Sequence, residues 1–216
     1  MASTELLIIG TGGLAKEAAQ LARRIDPHAE RWRRIAYVSH DPGELGRQLV
    51  HGSIDHLDQA VLARTTPADV VIGTGHPQLR RKLALQFTAN PALAFPNLIH
   101  PLLEIDAACV SLGRGNMITQ GVVMTCDIHI GDFNLFNWNS TVGHDTVIGS
   151  YNVVNPGSSI SGHVKIGDTC LLGTGCRVLE NLTLCSDLTI GAGAIVTKSI
   201  ATVGTYVGVP ARKLEK

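Results

Sequence analysis

The chain has 216 residues, 44% hydrophobic and 17% charged, enough apolar material for one large domain or two smaller ones with cores of their own. Eighteen basic residues balance eighteen acidic ones, so no net field exists to draw in nucleic acid or an anionic membrane. Five cysteines without a CxxC pair fit neither a disulfide framework nor a zinc knuckle, no export signal is visible, and no apolar run approaches the roughly 20 residues of a membrane span; the expected setting is the reducing cytoplasm, without membrane insertion.

Residues 5–98 read as alternating strands and helices: strand Glu5–Ile9, helix Lys16–Arg24, strand Arg34–Ser39, helix Asp55–Arg64, strand Asp69–Ile72 and helix Gln78–Phe87. Nearly all-apolar strands must be buried on both faces, which predicts a short parallel sheet covered by helices, a Rossmann-like βαβαβ domain over residues 1–98. The turn after the first strand, Gly10-Thr11-Gly12-Gly13-Leu14-Ala15, fits G-x-G-x-x-A between strand and helix, where backbone amides and the helix dipole favour phosphate. A nicotinamide enzyme is one reading of that turn. Against it, about three or four strands fall short of the usual six-stranded dinucleotide domain, and Ser39 and His40 stand where an acidic residue would meet a ribose.

After Pro91, Pro96 and Pro101 the rhythm changes. Stepping by six from Leu112 to Val196 meets a hydrophobic residue fifteen times in succession. At 44% hydrophobic content such a run has a chance probability on the order of one in 10⁵. Glycine follows the aliphatic at Gly113, Gly131, Gly143, Gly149, Gly167, Gly173 and Gly191, the pattern of a hexapeptide repeat. Three six-residue faces make an 18-residue triangular coil with aliphatics inside and small residues easing the corners. Residues 99–216 are thus expected to form a parallel β-helix of about five coils at roughly 4.8 Å each. Residues 18 apart should stack, setting His144 over Gly162 and Asn137 over Asn155, the latter as a short amide ladder.

Four segments in order resemble the NeuD/PglD family of bacterial sugar acetyltransferases: Ile9-Gly10-Thr11-Gly12-Gly13, Pro96-Asn97-Leu98-Ile99-His100-Pro101, Thr141-Val142-Gly143-His144-Asp145 and Val207-Gly208-Val209-Pro210-Ala211. The resemblance implies a left-handed winding of the β-helix, acetyl-CoA as acyl donor, a nucleotide-linked sugar as acceptor and a homotrimer. It also implies roles: His144 as general base with Asp145 fixing its tautomer, Gly162 offering its N–H to the thioester oxygen, and Thr174 and Ala192 lining the pantetheine channel. By the same matching Gly12, Gly13, Leu14, Ser39, His40 and Gly73 hold the nucleotide sugar. This chain departs from the family at Leu14, where a histidine is usual, at Ser39 and His40, where acidic residues are common, and at Val153, often a histidine.

The chemistry supports these roles, since acyl transfer needs a base near working pH, an oxyanion donor and juxtaposed substrates. The alternative for His144 is a polar corner residue, as His129 and His163 read; for Gly162 it is one more turn glycine. Cys126 and Cys170 read as packing residues, so no acyl-enzyme is expected. No His, Cys and carboxylate cluster occurs at ligand spacing along the chain, so no metal is expected. The function predicted is N-acetylation of a nucleotide-linked amino sugar through a ternary complex. The alternatives are O-acetylation of sialic acid or another sugar hydroxyl, and a non-catalytic β-helix scaffold.

Overall fold

The structure of the protein, a computed structural model, describes residues 4–215. It divides into two compact units. The first runs through Gly75 and resumes over Leu79–Pro101; the second comprises His76–Gln78 and the chain from Leu102 on.

The first unit is built on β1 (Thr4–Ile9), α1 (Gly13–Ile25), β2 (Trp32–Ser39), β3 (Gln48–Leu49), β4 (Gly52–Leu57), α2 (Asp58–Leu62), β5 (Ala68–Ile72), α3 (Pro77–Thr88) and β6 (Leu93–Ala94). The sheet order is β3-β4-β2-β1-β5-β6, parallel except for the β3–β4 pair. Leu6, Leu7 and Ile8 at its centre have no solvent exposure, as their unbroken apolar run requires. Helix α1 buries Ala15, Ala18, Ala19 and Ala22, small residues that let it pack closely.

Two expectations are corrected here. The region read as a helix over Asp55–Arg64 is strand β4 followed by the short helix α2. Its hairpin partner β3 is joined to it through Val50 and His51, with His51 at φ 62°, a turn lacking the Asn-Gly or Asp-Gly signature that would have announced it. The sheet therefore has six strands, so strand count does not separate this unit from a dinucleotide domain; its outermost two strands are only two residues long.

The second unit is a left-handed parallel β-helix. One face stacks Val110–Leu112, Ile128–Ile130, Val147–Ile148, Lys165–Ile166 and Thr183–Leu184. A second stacks Val123–Met124, Thr141–Val142, Ser159–Ile160, Arg177–Val178 and Ile195–Val196, and a third runs from Met117–Ile118 to a closing antiparallel pair, Gly204–Val207 with Arg212–Lys213. The register is 18 residues throughout, for example Thr141↔Ser159↔Arg177. Interior Val142, Ile160 and Val178 are buried, as the six-residue period requires.

The corners are not made as expected. From Gly115 to Gly193 every sixth residue has positive φ, and most of these are Asp, Asn, His, Thr or aromatic rather than glycine. None of the seven glycines that follow an aliphatic has positive φ. They are needed for close approach between coils: a Cβ on Gly131 would lie 2.8 Å from the Gly149 carbonyl oxygen, and one on Gly113 2.8 Å from that of Gly131. The amide ladder also sits elsewhere. The Oδ1 atoms of buried Asn116, Asn134 and Asn152 accept from the backbone N–H groups of Asn134, Asn152 and Cys170 at 2.8, 2.8 and 2.7 Å, whereas Asn137 and Asn155 are linked only through the backbone register.

Candidate active site

His144 and Asp145 occupy one corner of the β-helix, directly after the strand Thr141–Val142. Asp145 takes the left-handed conformation with φ 57°, which the short polar side chain of Asp tolerates. Its N–H donates to the Cys126 carbonyl one coil earlier at 3.1 Å, while the His144 carbonyl accepts from His163 N–H at 2.8 Å. The backbone under both side chains is thereby pinned between two neighbouring coils.

That pinning aims the side chains at each other. His144 Nδ1 lies 2.7 Å from Asp145 Oδ2. With Nδ1–H donating to the carboxylate, the neutral imidazole carries its lone pair on Nε2, the tautomer a general base needs. Gly162 lies one coil on, and the ring rests upon it: a Cβ on Gly162 would stand 2.7 Å from Cε1 and 2.8 Å from Nε2. The Gly162 carbonyl accepts from Asn181 at 3.1 Å, and among the described residues no carbonyl takes the Gly162 N–H.

Sequence reasoning missed the companion of this pair. His163, read as a plain corner residue, is a corner residue with φ 56°, but it stands one coil above Asp145 and brings Nε2 to 3.6 Å from the same Oδ2. Its ring meets that of His144 edge to face, centroids 5.1 Å apart. His129 is not at a corner; it lies within a strand, with Nδ1 2.7 Å from Ser111 Oγ. Thr174 and Ala192 stack on the preceding corner, where Gly193 N–H donates to the Thr174 carbonyl at 2.8 Å. The six-residue strand face through Arg177–Val178 separates that corner from the one holding Gly162, so a single chain brings these two together with each other and not with His144.

In the first unit, a cleft of about 620 Å³ opens at the carboxyl ends of the parallel strands, where open α/β sheets bind ligands. Gly12, Ser39, His40 and Gly73 line it, together with Thr11, Asp58 and Lys82; Gly13 and Leu14 are outside the lining. Gly73 is constrained by space, since a Cβ there would come 2.8 Å from that of Ala15 and 2.9 Å from the Ile9 carbonyl oxygen. The α1 N-terminus at Gly12 has no side-chain cap, leaving its amides available to an anion.

The acidic residue absent from the end of β2 arrives from downstream. A short 3₁₀ turn, Pro42–Glu44, returns Glu44 to the strand end, where Oε2 accepts from Ser39 Oγ at 2.6 Å and from Thr11 Oγ1 at 3.2 Å. The Ser39 hydroxyl, followed by the charge of Arg47 and the Thr11 hydroxyl, holds the Glu44 carboxyl below its ordinary range. Burial pushes the Asp58 carboxyl up, with His40 opposing. Neither residue carried a sequence signal: Glu44 reaches the cleft through a 3₁₀ turn whose path the linear pattern does not encode, and Asp58 opens α2 directly after β4, within a stretch that read as a single helix.

No family model matches the chain, and no curated protein sequence does. Among solved structures it is similar to the acetyltransferase domain of PglB from Neisseria gonorrhoeae, at 25% identity and TM-score 0.89 over 97% of this chain and 99% of that one. It is likewise similar to a histidine-substituted perosamine N-acetyltransferase from Caulobacter crescentus in complex with CoA and GDP-perosamine, at 26% identity and TM-score 0.86 over 98% and 97% of the two chains. WeeI from Acinetobacter baumannii matches at 26% identity and TM-score 0.86, over 98% of this chain and all of its own.

Proposed function

We propose that this chain, which belongs to the hexapeptide-repeat sugar acetyltransferases of the left-handed β-helix kind, moves an acetyl group from acetyl-CoA to the amino group of a nucleotide-linked sugar. The observation that carries the mechanism is the His144–Asp145 pair lying across Gly162. It presents a free imidazole nitrogen and, one coil away, an uncommitted backbone N–H.

In this reading the sugar nitrogen attacks the thioester carbonyl carbon while His144 Nε2 takes its proton, and Asp145 stabilises the imidazolium that forms. The oxyanion is met by Gly162 N–H. Collapse breaks the carbon–sulfur bond, and the CoA thiolate leaves with the proton from His144. Both substrates are bound together and no acyl-enzyme forms. The cleft of the first unit holds the nucleotide, with the α1 N-terminus and Lys82 facing the phosphates. The solved neighbours bound to CoA and GDP-perosamine support this choice of donor and acceptor class.

Thr174 and Ala192 serve the donor from a neighbouring copy, which is why the active unit is proposed to be a trimer with sites shared between β-helices. No helix among the described residues is long and apolar enough to cross a membrane, and the described cysteines are all free, in keeping with a cytoplasmic enzyme.

The test is formation of acetylated product and free CoA from acetyl-CoA with GDP-, UDP- and dTDP-linked amino sugars and with free sialic acid, for the native protein and His144→Ala. Turnover of an amino sugar that falls by roughly 10²-fold or more in the variant supports the proposal. Turnover confined to sialic acid would replace N- with O-acetylation, and turnover that survives the substitution would remove His144 from the mechanism.

A further inference from the structure

The metal expectation drawn from linear spacing did not anticipate what the coil register does. It brings His144, Asp145 and His163 together from two turns of the β-helix, with one ligand-type atom from each lying within 4.8 Å of the others. We infer that this corner binds a late first-row divalent ion of the Zn²⁺ class, and that the bound ion switches acetyl transfer off.

The donor set is two imidazoles and one carboxylate, which suits zinc and its neighbours and not the all-oxygen preference of calcium or magnesium. A tetrahedral ion with bonds of 2.0–2.1 Å holds its ligand atoms about 3.4 Å apart. The present separations from Asp145 Oδ2 are 2.7 Å to His144 and 3.6 Å to His163, on either side of that value. Small side-chain rotations therefore open the triad around an ion and leave a fourth position to water.

Two further observations favour a ligand here. His163 Nε2 lies 3.6 Å from the carboxylate, beyond hydrogen-bond reach although within ion-pair range, so the second imidazole faces the Asp145 oxygen with no hydrogen bond occupying the space between them. The backbone also fixes the ligand residues, with Asp145 and His163 in the same left-handed conformation on adjacent coils and the His163 N–H donating to the His144 carbonyl. Ligand groups fixed in advance on a stiff scaffold lose little freedom on binding.

The consequence for transfer follows from the imidazole itself. An ion on Nδ1 takes the lone pair at that nitrogen, and a neutral ring so coordinated carries its proton on Nε2. The nitrogen that should accept the sugar's proton is then occupied, and Asp145 is drawn from the ring to the ion. Binding stands on geometry alone, whereas the switch rests on the proposed function.

The experiment uses the 216-residue chain, untagged and freed of metal with EDTA. Co²⁺ is titrated by its visible absorption and Zn²⁺ by competition with a chromophoric chelator, for the native protein, His163→Ala and His163→Gln. Transfer is followed by mass spectrometry of the acetylated sugar, because free CoA thiol itself binds zinc. The inference expects one ion per chain, affinity at least ~10-fold weaker in both variants, and Zn²⁺ inhibition that EDTA reverses and that is likewise blunted in each variant relative to its own metal-free rate. Equal binding by native and variant proteins, or no saturable binding by the native protein, would overturn the site. Stoichiometric binding that leaves transfer unaffected would overturn the switch. Binding by a protein that acetylates no sugar when metal-free would uphold the site and sink the proposed function instead.

Discussion

The imidazole of His144 lies flat enough against Gly162 that a single added carbon on the glycine would stand 2.7 Å from the ring. Gly162 does not have positive φ, so its backbone would accept alanine without conformational strain and the obstacle is purely steric. Gly162→Ala should displace the ring, lowering kcat by roughly 10²-fold while costing about 1–3 kcal/mol of stability as local overpacking. Steady-state kinetics beside thermal unfolding would check this; full activity with an unmoved His144 environment would mean that the ring works from another pose.

Asp145→Asn keeps a residue that tolerates the left-handed backbone and removes the charge facing Nδ1. Turnover should fall by about 10²-fold or more, with KM for acetyl-CoA little changed, since the interaction matures only as the imidazolium forms. The side chain is half exposed, so the unfolding midpoint should stay nearly constant. A drop in stability with unchanged turnover would recast Asp145 as a corner residue.

Lys82 faces the cleft of the first unit and is exposed. Lys82→Ala should raise KM for the nucleotide sugar by roughly 5- to 10-fold through the loss of one phosphate contact, and leave KM for acetyl-CoA unaltered. Comparing the two constants in one assay tests whether the acceptor enters through this unit.

Glu5 is buried near the amino end of the central strand β1, against His56, Arg34 and Arg64. Burial works against its charge, but the hydrogen bond and charge of His56 and the charges of Arg34 and Arg64 outweigh it and hold the carboxyl at about 2. Because the folded value lies below the unfolded one, the stabilisation is complete above about pH 4.5 and is lost as pH falls towards 2, amounting to on the order of 3 kcal/mol. Urea unfolding of Glu5→Gln should therefore differ most from the native protein at pH 7 and converge with it near pH 2–3. A constant difference across that range would remove the electrostatic account.

The period of six made the β-helix legible before any coordinates, and stepping by 18 placed His144 on Gly162. What the period did not reveal was why each glycine is there, since sequence cannot tell a residue chosen for φ from one chosen for the coil above it. Asp127, Asp145 and Asp187 turn the corners; the glycines after the aliphatics make room. His163 was missed for the opposite reason. Its position is one full coil from Asp145, a relation visible only when the register is applied to every polar residue and not just to the expected base. In the first unit the β3–β4 hairpin and Glu44 were illegible because an unmarked turn and a 3₁₀ segment decide where those residues arrive.

The uniform register makes this half of the molecule a counting device. His144, Gly162, Asp145 and His163 meet only because 18 residues separate successive levels. Insertion of one or two residues between His144 and Gly162 would rotate the upper level by a fraction of a turn and dissolve the site, although every side chain would still be present. Removal of a complete 18-residue level from the stretch before Cys126 would shorten the column and leave each of those neighbours in place. Length changes in related genes should therefore fall in whole levels on either side of this pair of coils, or be extruded as loops at the corners.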